Sequence, residues 1–391
     1  MVRSIGLEQH DCTRYHKSVY SNHAQALTAE IKKRLVLVVP SAQAGGAERV
    51  FLYLLKSFDR GLVDLHLIII DPSGPYLDLI PPDVFSHGLG YRRVGTAMAR
   101  LAAVLRKLKP DVVLSTIGHL NLALLLIKPL LPKSTRVFVR ESNMPSFAFA
   151  KGAKNAVFRL LYRILYPSAD RIICPAEEIR KDLENKFGIR DEKMVMIPNP
   201  VSVDPIRSKM RTGCNPLKRH GARLVAAGSL TSQKGFDLLI EAMASLVKMR
   251  PHIHLTILGD GPDKNELLDQ IHSLNLSDFV ALAGFRENPY PYLFHADLFV
   301  LSSRWEGLPN VALESLACGT PVVAFDCPGG VSEIFDSPSQ GILVPAGDVE
   351  RLVETIDHWL DKQKDSTKSS LLPARFKIQS VTRQYESILI N

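Results

Sequence analysis

The sequence predicts an α/β protein of two doubly wound, Rossmann-like parallel-sheet domains that face each other across a cleft. Three observations carry this. The chain has 391 residues, more than one ordinary core accommodates. Units of apolar strand, small-residue turn and 3.6-period helix follow one another along it, the signature of parallel sheets covered by helices. The series halts once, at a segment rich in Pro, Ser and basic residues, and then restarts.

In chain order, residues 1–31 are a polar extension without an apolar signal core, expected to be poorly ordered. An N-terminal domain is expected over 32–200. It opens with "RLVLVVPSAQAGGAERVFLYLLKSF", a strand, a Gly-rich turn and a helix. "DLHLIII" is a strand, "TAMARLAAVLRKLKP" a helix, and "DVVLSTIG" and "RVFVRES" are strands. "ADRIICPAEEIRKDLENKFG" is a strand and a helix stopped by Gly188, and "KMVMIPNPV" closes the half. Residues 201–221 read as a linker. A second domain, 222–373, restarts with "ARLVAAGSLTSQKGFDLLIEAMASL" and repeats the unit in "HIHLTILGDGPDKNELLDQIHSL". "DFVALAG" and "DLFVLSS" are strands, and "PNVALESLACGTPVVAF" is helix, Gly319, strand. Residues 374–391 form a final helix.

Composition narrows the function. Hydrophobic residues make up 46% and charged residues 23%, a globular mixture. The net charge of +8 points to an acidic partner: nucleotide, phospholipid, phosphorylated acceptor or nucleic acid. Nucleic acid is the poor fit, because there is no zinc spacing, no RNP-like element and no long Lys/Arg run. Cys12, Cys174, Cys214, Cys318 and Cys327 are scattered without a CxxC, which suits reduced thiols in a cytoplasmic protein. The longest apolar stretch, "NLALLLIKPLLP", is broken by Lys128 and Pro129 and is too short to span a bilayer.

Ligands of such sheets bind at the carboxyl ends of the strands. The loops to search are Gly45–Gly46, Gly118–Asn121, Glu141–Asn143, Gly228–Gly235, Gly259–Gly261, Gly284–Asn288 and Glu306–Asn310. One of them carries an unusual pair. In "SSRWEGLPNVALESLACGTPVV", Glu306 lies in a polar loop, and Glu314 lies within an apolar helix that Pro309 opens. A carboxylate at the second place is costly unless hydrogen-bonded. Between the two lies a helix start, with free N–H groups and partial positive charge. As a template this reads sugar, diphosphate, ribose. Glu306 takes hexose hydroxyls, the Gly307 and Leu308 amides take phosphate oxygens, and Glu314 accepts from the vicinal hydroxyls of ribose. A bare pair of glutamates also fits a core carboxylate beside an ordinary loop residue. Lys234, in a Gly/Ser/Thr loop that opens a helix, can neutralise a leaving phosphate.

"SRWEGLPNVALESLACGTPVV" resembles the E-x7-E signature of retaining GT-B glycosyltransferases, the family 4 or group 1 type. "GGAERV", "AAGSLTSQKGFDLLIEAM", "LTILGDGP" and "ADLFVLSS" extend the likeness from about residue 33 to the end. The resemblance implies a GT-B fold whose last helix packs back toward the N-terminal domain. It implies catalytic roles for Glu306, His119 and Lys234. Donor binding falls to Gly45, Gly46, Gly228, Ser229, Lys234, Phe285, Arg286, Gly307, Leu308, Pro309, Asn310 and Glu314. Glu141 and Asn143 fall on the acceptor side. His119 also fits a structural histidine, and Glu141 an ordinary loop residue. Asn199 reads as a hinge turn and Asp260 as structural.

The implied reaction moves a hexose or N-acetylhexosamine from a nucleotide diphosphate sugar, of the uridine series by family habit, to a glycan or lipid-linked acceptor. No metal or other cofactor is implied, in keeping with the absence of a D-x-D pair. One departure stands out: Ser229 occupies the place of the family's usual Arg, so a diphosphate contact is lost or comes from elsewhere, with Arg304 and Arg286 nearest in kind. Two rivals stay open, a nucleotide-sugar epimerase of the same fold and a non-catalytic nucleotide-sugar-binding subunit.

"KGAKNAVFRLLYRILYPSAD" reads as an amphipathic helix. Val157, Leu160, Leu161, Ile164 and Leu165 form one stripe and Phe158, Tyr162 and Tyr166 another. Lys151, Lys154, Arg159 and Arg163 lie on or beside the aromatic stripe. Residues 151–166 therefore suit an anionic membrane surface, placing the protein peripherally on the inner face of the cytoplasmic membrane. They also suit a domain helix with solvated cations.

Overall fold

A computed structural model describes residues 32–43, 45–148, 153–212, 214–217, 220–362 and 368–390. The extension 1–31 and Lys151 lie outside these residues, and so does the side chain of Lys154.

The N-terminal sheet has seven parallel strands: β1 (Lys33–Ser41), β2 (Val63–Asp71), β3 (Phe85–Gly88), β4 (Val112–Thr116), β5 (Arg136–Arg140), β6 (Arg171–Cys174) and β7 (Met194–Met196). Their order is β3-β2-β1-β4-β5-β6-β7. The C-terminal sheet has six: β8 (Arg223–Ala227), β9 (His254–Leu258), β10 (Val280–Gly284), β11 (Leu298–Leu301), β12 (Val322–Asp326) and β13 (Gly341–Pro345), ordered β10-β9-β8-β11-β12-β13. Strand order reverses between β1 and β4 and between β8 and β11. The crevice of a doubly wound sheet opens at that switch. The runs that read as strands are buried because helices cover both faces: Val36, Leu37, Val38, Leu224, Val225 and Phe299 are all at or near zero exposure.

The helices that matter for the site are α1 (Gly46–Ser57), α2 (Val94–Leu108), α3 (Gly118–Ile127), α4 (Pro145–Ala148), α5 (Ala153–Leu165), α6 (Glu177–Phe187), α7 (Val203–Met210), α8 (Phe236–Met249), α9 (Lys264–Ser273), α10 (Tyr290–His295), α11 (Asn310–Ala317), α12 (Val349–Lys362) and α13 (Ile378–Leu389). The last helix packs into the N-terminal domain. Val381, Tyr385 and Leu389 join the core with Val50, Phe51 and Phe138, and Arg136 donates to the Leu389 carbonyl at 2.7 Å. The chain thus crosses between domains twice. The crossings are tied together, the Val201 N–H donating to the Phe376 carbonyl at 2.7 Å and the Ile378 N–H to the Val201 carbonyl at 3.0 Å.

Two expectations shift. The linker carries structure of its own: α7 lies inside it, and Val201, Ile206, Met210 and Leu217 pack into the C-terminal core. Spaced apolar residues among the polar ones, not the Pro and Ser content, decide the outcome. In α5 the aromatic stripe turns inward. Tyr162 and Tyr166 are fully buried and stack at 4.2 Å between centroids. Part of the aliphatic stripe faces out instead, with Val157 57%, Leu160 56% and Ile164 60% exposed. The tyrosine hydroxyls have buried polar partners, which the aliphatic side chains could not use.

Candidate active site

A cleft of about 580 Å3 lies between the two domains, at the carboxyl ends of both sheets. Its C-terminal wall is two loops fastened to each other. Gln233 donates through Nε2 to the Trp305 carbonyl at 3.0 Å, the Arg304 N–H donates to the Gln233 carbonyl at 2.8 Å, and Ser302 Oγ donates to the Lys234 carbonyl at 3.0 Å. Gly235 has φ of +60°, and a Cβ there would sit 2.0 Å from the Ser302 carbonyl oxygen, so this joint needs glycine. The fastening aims Lys234 Nζ at Glu306 Oε1, 2.6 Å away. Ser303 Oγ donates to the same oxygen at 2.6 Å. Glu306 is buried, yet its carboxylate lines the cleft.

The next residues form the helix start. Pro309 caps α11 from just outside it, one position earlier than the sequence suggests. Glu314 follows one turn on and is 1% exposed. Its partner comes from the other domain: Arg49 NH1 donates to both carboxylate oxygens, at 2.6 and 2.7 Å, while Arg49 Nε donates to Tyr76 Oη at 2.9 Å. Burial works most strongly against the Arg49 charge, but the Glu314 carboxylate, with Tyr76, Tyr290 and Tyr53 around it, together outweighs burial and holds the guanidinium pKa well above its ordinary value.

The N-terminal wall meets this helix start directly. Asn310 Nδ2 donates to the Gly46 carbonyl at 2.9 Å. Asn199 Nδ2 donates to Asn310 Oδ1 at 2.7 Å and to the Leu308 carbonyl at 3.0 Å. Arg140 in turn donates to Asn199 Oδ1 and, at 3.2 Å, to Thr116 Oγ1. Asn199, read as a hinge turn, therefore sits at the crossing and also lines the cleft. Gly307 backs onto the loop after β5: a Cβ there would lie 2.2 Å from the Ser142 carbonyl oxygen.

All the residues expected to bind the donor line this one cleft: Gly45, Gly46, Gly228, Ser229, Lys234, Phe285, Arg286, Gly307, Leu308, Pro309, Asn310 and Glu314, together with Glu306 and Asn143. Two expected residues do not. His119 lines a separate groove of about 890 Å3 in the N-terminal domain, among Ser41, Gln43, Arg92, Leu122 and Phe158. It lies in the first turn of α3, whereas the residue that reaches the cleft from this loop is Ile117, at φ of +71°. Glu141 lies behind the wall rather than in it. It accepts from Tyr166, from Asn121 Nδ2 at 3.2 Å and from Tyr162 at 3.3 Å. Of the two arginines considered as substitutes at Ser229, Arg286 lines the rim of the cleft. Arg304 is turned away, bonded to Asp237 at 2.6 and 2.8 Å. Arg49 is a cleft residue that the sequence pattern does not single out, although "GGAERV" places it in the first turn of α1.

Burial pushes the Glu141 carboxyl up to about 7, against the hydrogen bonds from Tyr166, Asn121 and Tyr162. A carboxyl raised in the fold binds protons more tightly there than in the unfolded chain. Stability is then lost as pH rises from the unfolded value through about 7, and the loss levels off above that. At about 1.4 kcal/mol per unit, the loss reaches roughly 3 kcal/mol. Glu141→Gln should therefore gain on the wild type by up to that amount between pH 5 and pH 8. Unfolding by denaturant at both pH values checks this, and a pH-independent difference contradicts it.

Two doubly wound parallel-sheet domains that face each other across a cleft of this make are the GT-B fold. Residues 44–205 match the model of Glycosyltransferase Family 4, and residues 215–370 match that of Glycosyl transferases group 1. The chain belongs to this family and is a glycosyltransferase. It is 31% identical over 248 residues to an uncharacterised glycosyltransferase of Methanocaldococcus jannaschii, a match spanning 60% of each protein. It is 28% identical over 342 residues to the N-acetylgalactosamine-N,N'-diacetylbacillosaminyl-diphospho-undecaprenol 4-alpha-N-acetylgalactosaminyltransferase of Campylobacter jejuni, covering 85% of this chain and 91% of that one. Among solved structures, Anabaena HepE in complex with UDP-glucose superposes with a TM-score of 0.73 at 21% identity, covering 91% of this chain and 99% of that one.

Proposed function

We propose that the chain transfers a hexose or N-acetylhexosamine, with retention, from a UDP-sugar to a lipid-linked glycan in cell-surface polysaccharide or glycolipid assembly. One observation carries the donor half. Two buried carboxylates flank one helix start at the switch point of the sheet, and the loop between them supplies backbone amides. Glu306 holds the sugar hydroxyls, Glu314 the ribose, and the start of α11 with Lys234 the diphosphate. Charge is thereby neutralised by the protein itself, without a metal ion. Among the described residues lining the cleft, no side chain other than the already bonded carboxylates could act as a strong nucleophile or base, so attack comes from the face the leaving group departs, and the departing phosphate takes up the acceptor proton. Shared fold with a UDP-glucose complex supports a uridine donor.

The acceptor half rests on the N-terminal domain. The groove holding His119 is walled by Leu122, Leu126, Phe158, Leu161 and Leu165 and rimmed by Arg92 and Arg93, a combination that suits an apolar chain carrying phosphate. Leu126 is 54% exposed on α3, and Val157, Leu160 and Ile164 are exposed on α5, which also carries Arg159 and Arg163. No helix among the described residues is long and apolar enough to cross a membrane. The chain would then meet the lipid peripherally, at the cytoplasmic face. The Campylobacter relative's named acceptor, a diphospho-undecaprenol-linked sugar, fits this reading.

The deciding experiment is a donor screen that measures nucleoside diphosphate release with and without a lipid-linked acceptor pool. Release that needs the acceptor supports the reading; conversion of the sugar with no acceptor makes the chain an epimerase. For the surface, Leu160→Glu with Ile164→Glu should abolish co-sedimentation with anionic vesicles. Undiminished pelleting would remove the membrane from the account.

A further inference from the structure

Both carboxylates of the donor site already hold a cation. Lys234 bonds Glu306 and Arg49 bonds Glu314, and all four side chains line the cleft. A nucleotide that places its ribose on Glu314 must compete with Arg49 for the same two oxygens, since Arg49 lies against both of them. A displaced guanidinium needs a new anion, because a half-buried charge left alone is costly. The diphosphate is the anion at hand, and beyond Lys234, which Glu306 already holds, the cleft has few cations to offer it. Ser229 offers only a neutral hydroxyl, Arg304 is committed to Asp237, Arg140 is committed to Asn199 and Thr116, and Arg286 is exposed and lies over Tyr292. Arg49 is 18% exposed, projects from the first turn of α1, and stands three residues from Gly46 at that helix start.

We propose that Arg49 supplies the diphosphate contact that Ser229 does not make, exchanging Glu314 for phosphate as the ribose takes the carboxylate. The inference rests on the donor reading given above. It has a consequence for selectivity. A nucleoside has to break the Arg49–Glu314 pair and offers Arg49 nothing in return. A nucleoside diphosphate repays the break with a charge-assisted, fork-shaped contact. The pair therefore acts as a filter that admits diphosphates and resists nucleosides, with no moving lid.

The test is calorimetric titration of the full chain with UDP, GDP and ADP, followed by the tightest of these against its own nucleoside. Arg49→Met should weaken the diphosphate by about tenfold to a hundredfold, the usual worth of a hydrogen bond between charged groups. The same change should leave the nucleoside unweakened or tighter. Adding Ser229→Arg to Arg49→Met should recover diphosphate affinity. Arg49→Lys, which keeps a charge beside Glu314 and the fold with it, should weaken the diphosphate alone, by severalfold. If diphosphate and nucleoside lose affinity by the same factor, Arg49 merely holds Glu314 and the inference fails. It fails also if Ser229→Arg recovers nothing. Should the wild-type chain bind none of the three diphosphates, the donor reading itself falls.

Discussion

Glu306→Ala should lose transferase activity by about a thousandfold or more, while UDP binds as tightly as to the wild type. The split follows from where the carboxylate sits. Glu306 precedes the helix start and is held by Lys234 and Ser303, whereas Glu314 lies past that start, within α11. In the proposed pose it meets the transferred sugar and nothing of the nucleotide. Its contact with the sugar hydroxyls fixes the anomeric carbon in line with the acceptor, and mispositioning by an ångström is enough to cost orders of magnitude. Its loss also releases Lys234, so the diphosphate is held at least as well. Titration with UDP beside a transfer assay checks both halves. A parallel loss of nucleotide binding would mean that Glu306 builds the nucleotide pocket rather than positioning the sugar.

The parts of this site legible in the sequence are those set by local pattern. The paired glutamates, Pro309 and the Gly-rich turns sit where strand gives way to helix, and that junction is visible in a periodicity. Every expected donor residue consequently lies in one cleft. What the pattern does not carry is direction about a helix or behind a loop. His119 and Ile117 are two residues apart, yet they open onto different cavities, because Ile117 takes a left-handed backbone that turns the chain between them. Glu141 and Asn143 are likewise two apart, and only Asn143 reaches the cleft. The hydroxyls of Tyr162, on α5, and of Tyr166, just past its end, draw Glu141 inward. Arg49 was hidden for another reason. Its partner is 265 residues away, and no one-dimensional spacing announces an ion pair between domains.

Glu314→Ala should do what Glu306→Ala does not: lower nucleotide affinity by about a hundredfold, through the loss of two hydrogen bonds from the ribose to a charged acceptor. It should also lower stability, because it strands Arg49. Removing one member of a buried ion pair costs about 3–5 kcal/mol, mostly the penalty of the charge left behind. The two losses have different causes and can be separated. In Glu314→Ala with Arg49→Met, no charge is stranded, so stability should return most of the way to the wild type. The ribose contact is still missing, so nucleoside affinity should not return. A double-mutant cycle on the thermal midpoint, read beside titration with uridine, gives both numbers. If restoring stability also restored uridine binding, Glu314 would owe its place in the helix to Arg49 alone. The carboxylate would then be a strut between the domains and not the ribose acceptor on which the donor pose depends.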